Sequence, residues 1–108
     1  MDKAAAAELA RQLLDQECGH PAGDEWVILE PFAVRSKLGW VFSYNTRSFV
    51  ETGDLNKAAF VGAGPLLVRD DNWRGWFFPS AFSVANVAQM IDADDPALTV
   101  QRGSFAFP

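Results

Sequence analysis

The sequence predicts an α+β fold, a small antiparallel β-sheet of about four strands with an N-terminal and a C-terminal helix packed on one face. Three observations predict it. Apolar residues recur at helical spacing near both ends, as Ala6, Leu9, Ala10, Leu13 and Leu14 and again as Val84, Val87, Ala88 and Ile91. Between them, Trp40, Phe42 and Tyr44 alternate with Val41 and Ser43, the period of a strand with two unlike faces. Residues 65–69 and 73–78 are apolar runs on either side of the polar turn Asp70-Asp71-Asn72, the pattern of a hairpin.

Each element follows in order. Asp2 is placed to cap the first helix, an amphipathic segment of about four turns, with Glu8, Arg11, Gln12 and Asp15 opposite its apolar stripe. Gly19, Pro21 and Gly23 end it, since glycine suits a helix exit and proline cannot continue the hydrogen-bond ladder. Residues 26–30 read as a strand, Pro31 marks its edge or a bulge, and 32–35 extend it. After a turn at 36–38, residues 39–45 form the second strand. Residues 46–64 read as mostly irregular, with Phe49 and Val50 open as a short strand and Gly53-Asp54 as a turn. The hairpin of 65–78 follows, with Gly75 expected to bulge or bend its second strand. Ser80 or Ser83 is expected to cap the last helix, which runs to about Asp92. The whole of 1–108 reads as one domain, with 93–108 open between a short terminal strand and a loosely held tail.

Composition narrows the function. A chain of 108 residues, 49% hydrophobic and 13% aromatic, is far from disordered composition and buries roughly 65% of the surface its unfolded form exposes. Fourteen carboxylates against nine Lys and Arg give a net charge of -5, and the cations Arg35, Lys37, Arg47, Lys57, Arg69 and Arg74 are scattered singly. Nucleic-acid binding needs clustered cations, so it is not expected. An acidic surface steers toward a basic partner, although mild acidity also simply promotes solubility. The lone Cys18 forms no internal disulfide and belongs to no zinc pattern, which favours a cytoplasmic protein. The start of the chain lacks the apolar run of a signal peptide, and no stretch has the roughly 18 apolar residues of a membrane helix.

No catalytic, cofactor or metal constellation is expected. Cys18 and His20 are close in sequence, but no motif orients an acid toward them. Asp70-Asp71-Asn72 and the acidic run 92–95 lack the glycine and distal glutamate of a calcium loop. Gly62-Ala63-Gly64 is too short for a phosphate loop and leads into Pro65, so it reads as a strand entry. Ser43, Ser48, Ser80 and Ser83 have no nucleophile-elbow context.

Three segments carry a family resemblance. Gly39-Trp40-Val41-Phe42-Ser43-Tyr44-Asn45, the turn Glu51-Thr52-Gly53-Asp54, and Gly62-Ala63-Gly64-Pro65-Leu66-Leu67-Val68 resemble the immunity protein 35 family, the YrhB-like group, and Glu30-Pro31-Phe32 is similar to its approach to the strand. The resemblance covers residues 4–91 and is most specific at 39–70. Residues 33–38, the Trp73 and Trp76 pair, and the residues after Ile91 depart from it. It implies a compact α+β protein that binds and neutralises a cognate bacterial toxin in the cytosol without chemistry of its own. A chaperone-like role, known for one YrhB-like branch, is the alternative. The partner is then a toxin domain, with no nucleic acid and no membrane involved, and a strand edge at 73–78 offers a route to a homodimer. Trp73, Arg74 and Trp76 are the residue types that anchor tight interfaces, and Glu51 and Asp54 flank a turn able to meet a basic toxin surface. Against these stand core packing for the tryptophans and local turn bonding for the carboxylates.

Overall fold

A computed structural model describes residues 2–17, 19, 23–54, 64–70, 75–78 and 82–93. The first helix, α1, spans Lys3–Glu17, and the Asp2 carboxylate accepts the Ala5 N–H at 2.8 Å to cap it. Ala6, Ala7, Ala10 and Leu14 form its buried stripe. Three of these four are alanines, so the helix axis can approach the sheet closely. On its outer side Arg11 bridges Glu8 at 2.6 Å and Asp15 at 3.2 Å, one helical turn in each direction. The hydrogen bonds from Arg11 and then Gln12 hold the Glu8 carboxyl below its usual range.

The strands are β1 (Trp26–Ile28), β2 (Val34–Arg35), β3 (Gly39–Phe42), β4 (Tyr44–Thr46), β5 (Leu66–Arg69) and β6 (Gly75–Phe77). They form a two-stranded sheet, β1-β4, and a four-stranded sheet ordered β2-β3-β5-β6, with every pairing antiparallel. The α+β class and the four-stranded sheet are as the sequence predicts. The first hairpin, however, is split between the sheets. Ile28 lies opposite Tyr44 and Trp26 opposite Thr46, whereas Val34 lies opposite Val41 and Arg35 opposite Trp40. The register slips by three residues, the length of the 3-10 turn Glu30–Phe32. Pro31 causes this, because it offers no N–H to a ladder and its fixed φ suits a tight turn. On the facing chain, Ser43 marks the junction between β3 and β4, and its carbonyl still accepts the Leu29 N–H at 3.0 Å.

Side chains of β3 and β5 alternate between two cores. Trp40, Phe42, Leu66 and Val68, with Phe77 of β6, pack against α1, together with Trp26 and Tyr44. Val41 and Leu67, with Trp76, pack against the last helix α3 (Val84–Asp92) through Val87, Ala88 and Ile91. The two terminal helices therefore cover opposite faces of the sheet, correcting the expectation that they share one. The reason is legible in the strands themselves. Residues 40–42 and 66–68 are apolar at every position, so each face needs a cover. Val41, Phe42, Leu66, Leu67 and Val68 are fully buried.

Other departures have local causes. Residues 47–52 form a helix, α2 (Arg47–Thr52), instead of irregular chain or a short strand. Thr46 caps it by accepting the Phe49 N–H at 3.3 Å, and Gly53, at φ 71°, ends it with its N–H on the Phe49 carbonyl. Gly75 makes no bulge and pairs regularly with Val68. Its missing side chain makes room for Leu13, whose Cδ1 would lie 2.5 Å from a Cβ there. Ser83 caps α3 in a reciprocal arrangement with Asn86, while Ser80 lies outside the described residues. At the far end of α3, the Asp92 carboxylate accepts the Lys37 N–H at 2.8 Å and holds the β2–β3 turn.

Two features pin the central strand. At Gly39 an added Cβ would be driven into the Val68 carbonyl of β5, so only glycine allows this approach. Arg35 of β2 reaches over β3 to grip Asp70, just past β5, with both terminal guanidinium nitrogens, Nη1 to Oδ1 at 3.0 Å. Its guanidinium also lies over the Trp40 ring, 5.6 Å from the centroid.

Substituting Gly39→Ala is expected to destabilise the protein by about 3 kcal/mol, read as a lower urea midpoint at unchanged slope. The Arg35 hydrogen bond lowers the Asp70 pKa from its ordinary 3.8. A depressed folded pKa stabilises above the unfolded value and loses that contribution as pH falls through the folded value. The advantage of the natural chain over Asp70→Asn, at most about 1 kcal/mol for a partly exposed pair, is thus expected to be complete above about pH 5 and to vanish in acid below 3.8. Urea unfolding of both chains from pH 2 to 7 reads it. A difference that grows on acidification would contradict the assignment.

Candidate partner-binding surface

The α2 end of the molecule gathers the first group of polar side chains. Pairing of β1 with β4 runs on past the strands, with the Arg47 N–H on the Glu25 carbonyl at 2.8 Å. This carries residues 23–25 alongside the first turn of α2. There the Asp24 carboxylate accepts the N–H groups of Glu25 at 2.9 Å and Ser48 at 3.2 Å, which satisfies an end-of-helix donor and places a negative charge where the helix dipole favours it. The result is an open groove of about 340 Å³ lined by Gly23, Asp24, Glu25, Arg47, Ser48 and Glu51.

Three carboxylates share this groove with one guanidinium. Arg47 pairs with Glu25, and its Nε lies 3.9 Å from Glu51 one turn further along the helix. Glu51 nevertheless keeps 64% of its side chain exposed. Val50 on the same short helix is 43% exposed. Asp54 follows the left-handed Gly53 and is half-buried, its N–H on the Thr52 hydroxyl at 3.2 Å. Glu51 is therefore brought beside Asp24 and Glu25, which the sequence alone did not single out, while Asp54 lies two residues past α2 and outside the groove's lining.

Trp76 lies elsewhere. Its half-buried ring packs with the α3 core, and the Arg69 guanidinium sits 6.0 Å from its centroid. Trp73 and Arg74 lie outside the described residues, as do Cys18, His20, Gly62, Ala63, Asp71, Asn72, Asp94 and Asp95. Asp70 and Asp92 hold Arg35 and the Lys37 N–H. Among the described residues no three His, Cys, Asp or Glu side chains converge as a metal site would require.

A second surface was not signalled by charge. The 3-10 turn presents Pro31 and Phe32 to solvent, Phe32 at 68% exposure. An aromatic ring held outward on a proline-stiffened turn is the side-chain type and rigidity on which interface anchors are built. The only sequence signal for it was Pro31, which breaks the alternation that would otherwise have turned Phe32 inward or outward by parity.

The family model for immunity protein 35 matches residues 4–93, from the first turn of α1 to the residue after α3. The chain belongs to the immunity protein 35 family. No curated protein and no solved structure matches it. The matched span is the complete helix–sheet–helix unit, so the family pattern and the two cores have the same extent. Within this family member, no helix among the described residues is long and apolar enough to cross a membrane.

Proposed function

We propose that this protein is the cytosolic inhibitor of a cognate bacterial toxin, which it binds one to one and silences by occupancy. The observation that carries the reading is the family match over residues 4–93. An inhibitor of this kind acts by equilibrium, keeping free toxin negligible, and needs no reacting group of its own. The described surface offers what such binding uses. The acidic end formed by Asp24, Glu25, Glu51 and Asp54 accelerates encounter with a basic face, and the aromatic side chains supply burial. Of the residues nominated from sequence, Glu51 and Asp54 form the acidic contact. Trp76 lies apart from them, packed with the α3 core.

Coexpression with the toxin domain encoded beside it, followed by size exclusion and a toxin assay, is expected to give a stable complex with no residual activity. Undiminished toxin activity beside abundant folded protein would overturn the reading. The double variant Glu51→Lys, Asp54→Lys is expected to weaken the complex at least about tenfold, chiefly by slower association, with the loss shrinking at high salt. Unchanged association rates at low salt would remove these two residues from the interface.

A further inference from the structure

Among the described residues the outer edge of β1 is unpaired, and it borders a groove. Contacts of Leu29 with Ser43 and of Arg47 with Glu25 are hydrogen-bonded positions of the β1–β4 ladder. Val27 opposite Asn45 is in phase with them, so Trp26 and Ile28 fall between. In an antiparallel pair those intervening residues turn their N–H and C=O groups away from the partner strand. Among the described residues, neither Trp26 nor Ile28 finds a backbone partner on that outer side. The strand Trp26-Val27-Ile28 itself contains no proline or charged residue that would blunt the edge.

Beside this edge α1 forms a wall. A groove of about 220 Å³ runs along their junction, with Ala4, Glu8 and Arg11 of the helix and Val27, Ile28 and Glu30 among its lining residues. The small Ala4 side chain leaves the space open. Two carboxylates, Glu8 and Glu30, line the groove against the single guanidinium of Arg11, which bridges Glu8 and Asp15, so the groove presents net negative charge. Phe32, two residues after Glu30 in the same 3-10 turn, is exposed.

We propose that β1 and this flank of α1 form a strand-addition site for an extended basic segment of the toxin. The main-chain groups of Trp26 and Ile28 pair with the segment, its alternate Lys or Arg side chains meet Glu8 and Glu30, and an apolar residue covers Phe32. A second copy of this chain is the wrong occupant, because its own β1 would bring the same carboxylates into opposition. The assignment rests on the inhibitor reading only in taking the segment to belong to the toxin.

The test uses amide hydrogen exchange by NMR on the full chain, with two capped hexapeptides as probes, one alternating Lys with Val and one alternating Glu with Val. The Lys peptide, at about four times its dissociation constant, is expected to slow exchange at Trp26 and Ile28 about fivefold, and to leave α3 unchanged. The Glu peptide is expected to do nothing, and Glu8→Lys with Glu30→Lys to abolish the effect of the Lys peptide. No protection by the Lys peptide, or equal protection by both peptides, would overturn the proposal. In the toxin complex the same two amides are expected to slow by at least about a hundredfold. A complex that silences the toxin while these amides exchange as in the free chain would overturn strand addition and leave the inhibitor reading standing. Protection by the Lys peptide with no binding of the toxin would show a real groove whose occupant is not the toxin, and would overturn the assignment as stated.

Discussion

The contact on which the rest depends is that of β3 with β5. These two strands are apolar on both faces, fully buried along most of their length, and joined across four residue pairs from Gly39–Arg69 to Phe42–Leu66. Everything else is arranged around them. The helix α1 covers one face and α3 the other, and β2 and β6 flank the pair. Close approach at Gly39 brings the backbones together at one end. Near that end the Arg35 fork ties β2 to Asp70, and Asp92 ties α3 to the turn between β2 and β3. Burial of five fully enclosed side chains in these two strands supplies the main driving force, at roughly 1.5–3 kcal/mol for each large apolar side chain. The partly exposed ion pairs add specificity of register more than stability.

From this rigid centre the chain projects its surfaces outward along one route. The strand that begins as β3 continues as β4 into a second sheet, and β4 leads directly into α2. Pairing with β4 fixes β1, and the three-residue slip at Pro31 is what allows the same chain to pair in two registers. The acidic groove, the open edge of β1 and the outward Phe32 are thus all hung from the β1–β4 pair. That pair is anchored through Trp26 and Tyr44, whose rings meet edge to face at 5.8 Å in the α1 core. Such a layout separates the two buried cores of the four-stranded sheet and its two helices from the surface of the smaller sheet, where the proposed binding is placed.

Much of this was legible in the sequence, and the exceptions share a cause. The 3.6-residue stripe of α1 and the alternation of Trp40, Phe42 and Tyr44 are local signals, and each was enough, while the cap of α3 was narrowed to Ser80 or Ser83, of which Ser83 caps it. The second face was also written locally, in the unbroken apolar runs 40–42 and 66–68, but the aromatic alternation drew attention to one face alone. For α2 the signal was Thr46 and Gly53, a cap and a left-handed exit, yet six residues are too few for an apolar stripe to stand out. The surface was less legible. Glu51 and Asp54 could be nominated from their turn, whereas Asp24 and Glu25 reach Glu51 only because β1 pairs with β4, and no spacing along the chain encodes that. Family membership, by contrast, was carried by contiguous motifs and could be read directly.

Native-state hydrogen exchange of the free protein tests the central claim most directly. Trp40 opposite Val68 and Phe42 opposite Leu66 are the hydrogen-bonded positions between β3 and β5, in phase with the Asp70 N–H on the Leu38 carbonyl. If this pair organises the fold, those amides exchange only through global unfolding, with a free energy and urea dependence equal to those of equilibrium denaturation, while α2 opens locally at lower cost. Exchange of Trp40 and Phe42 by local opening, as fast as in α2 and insensitive to urea, would contradict it.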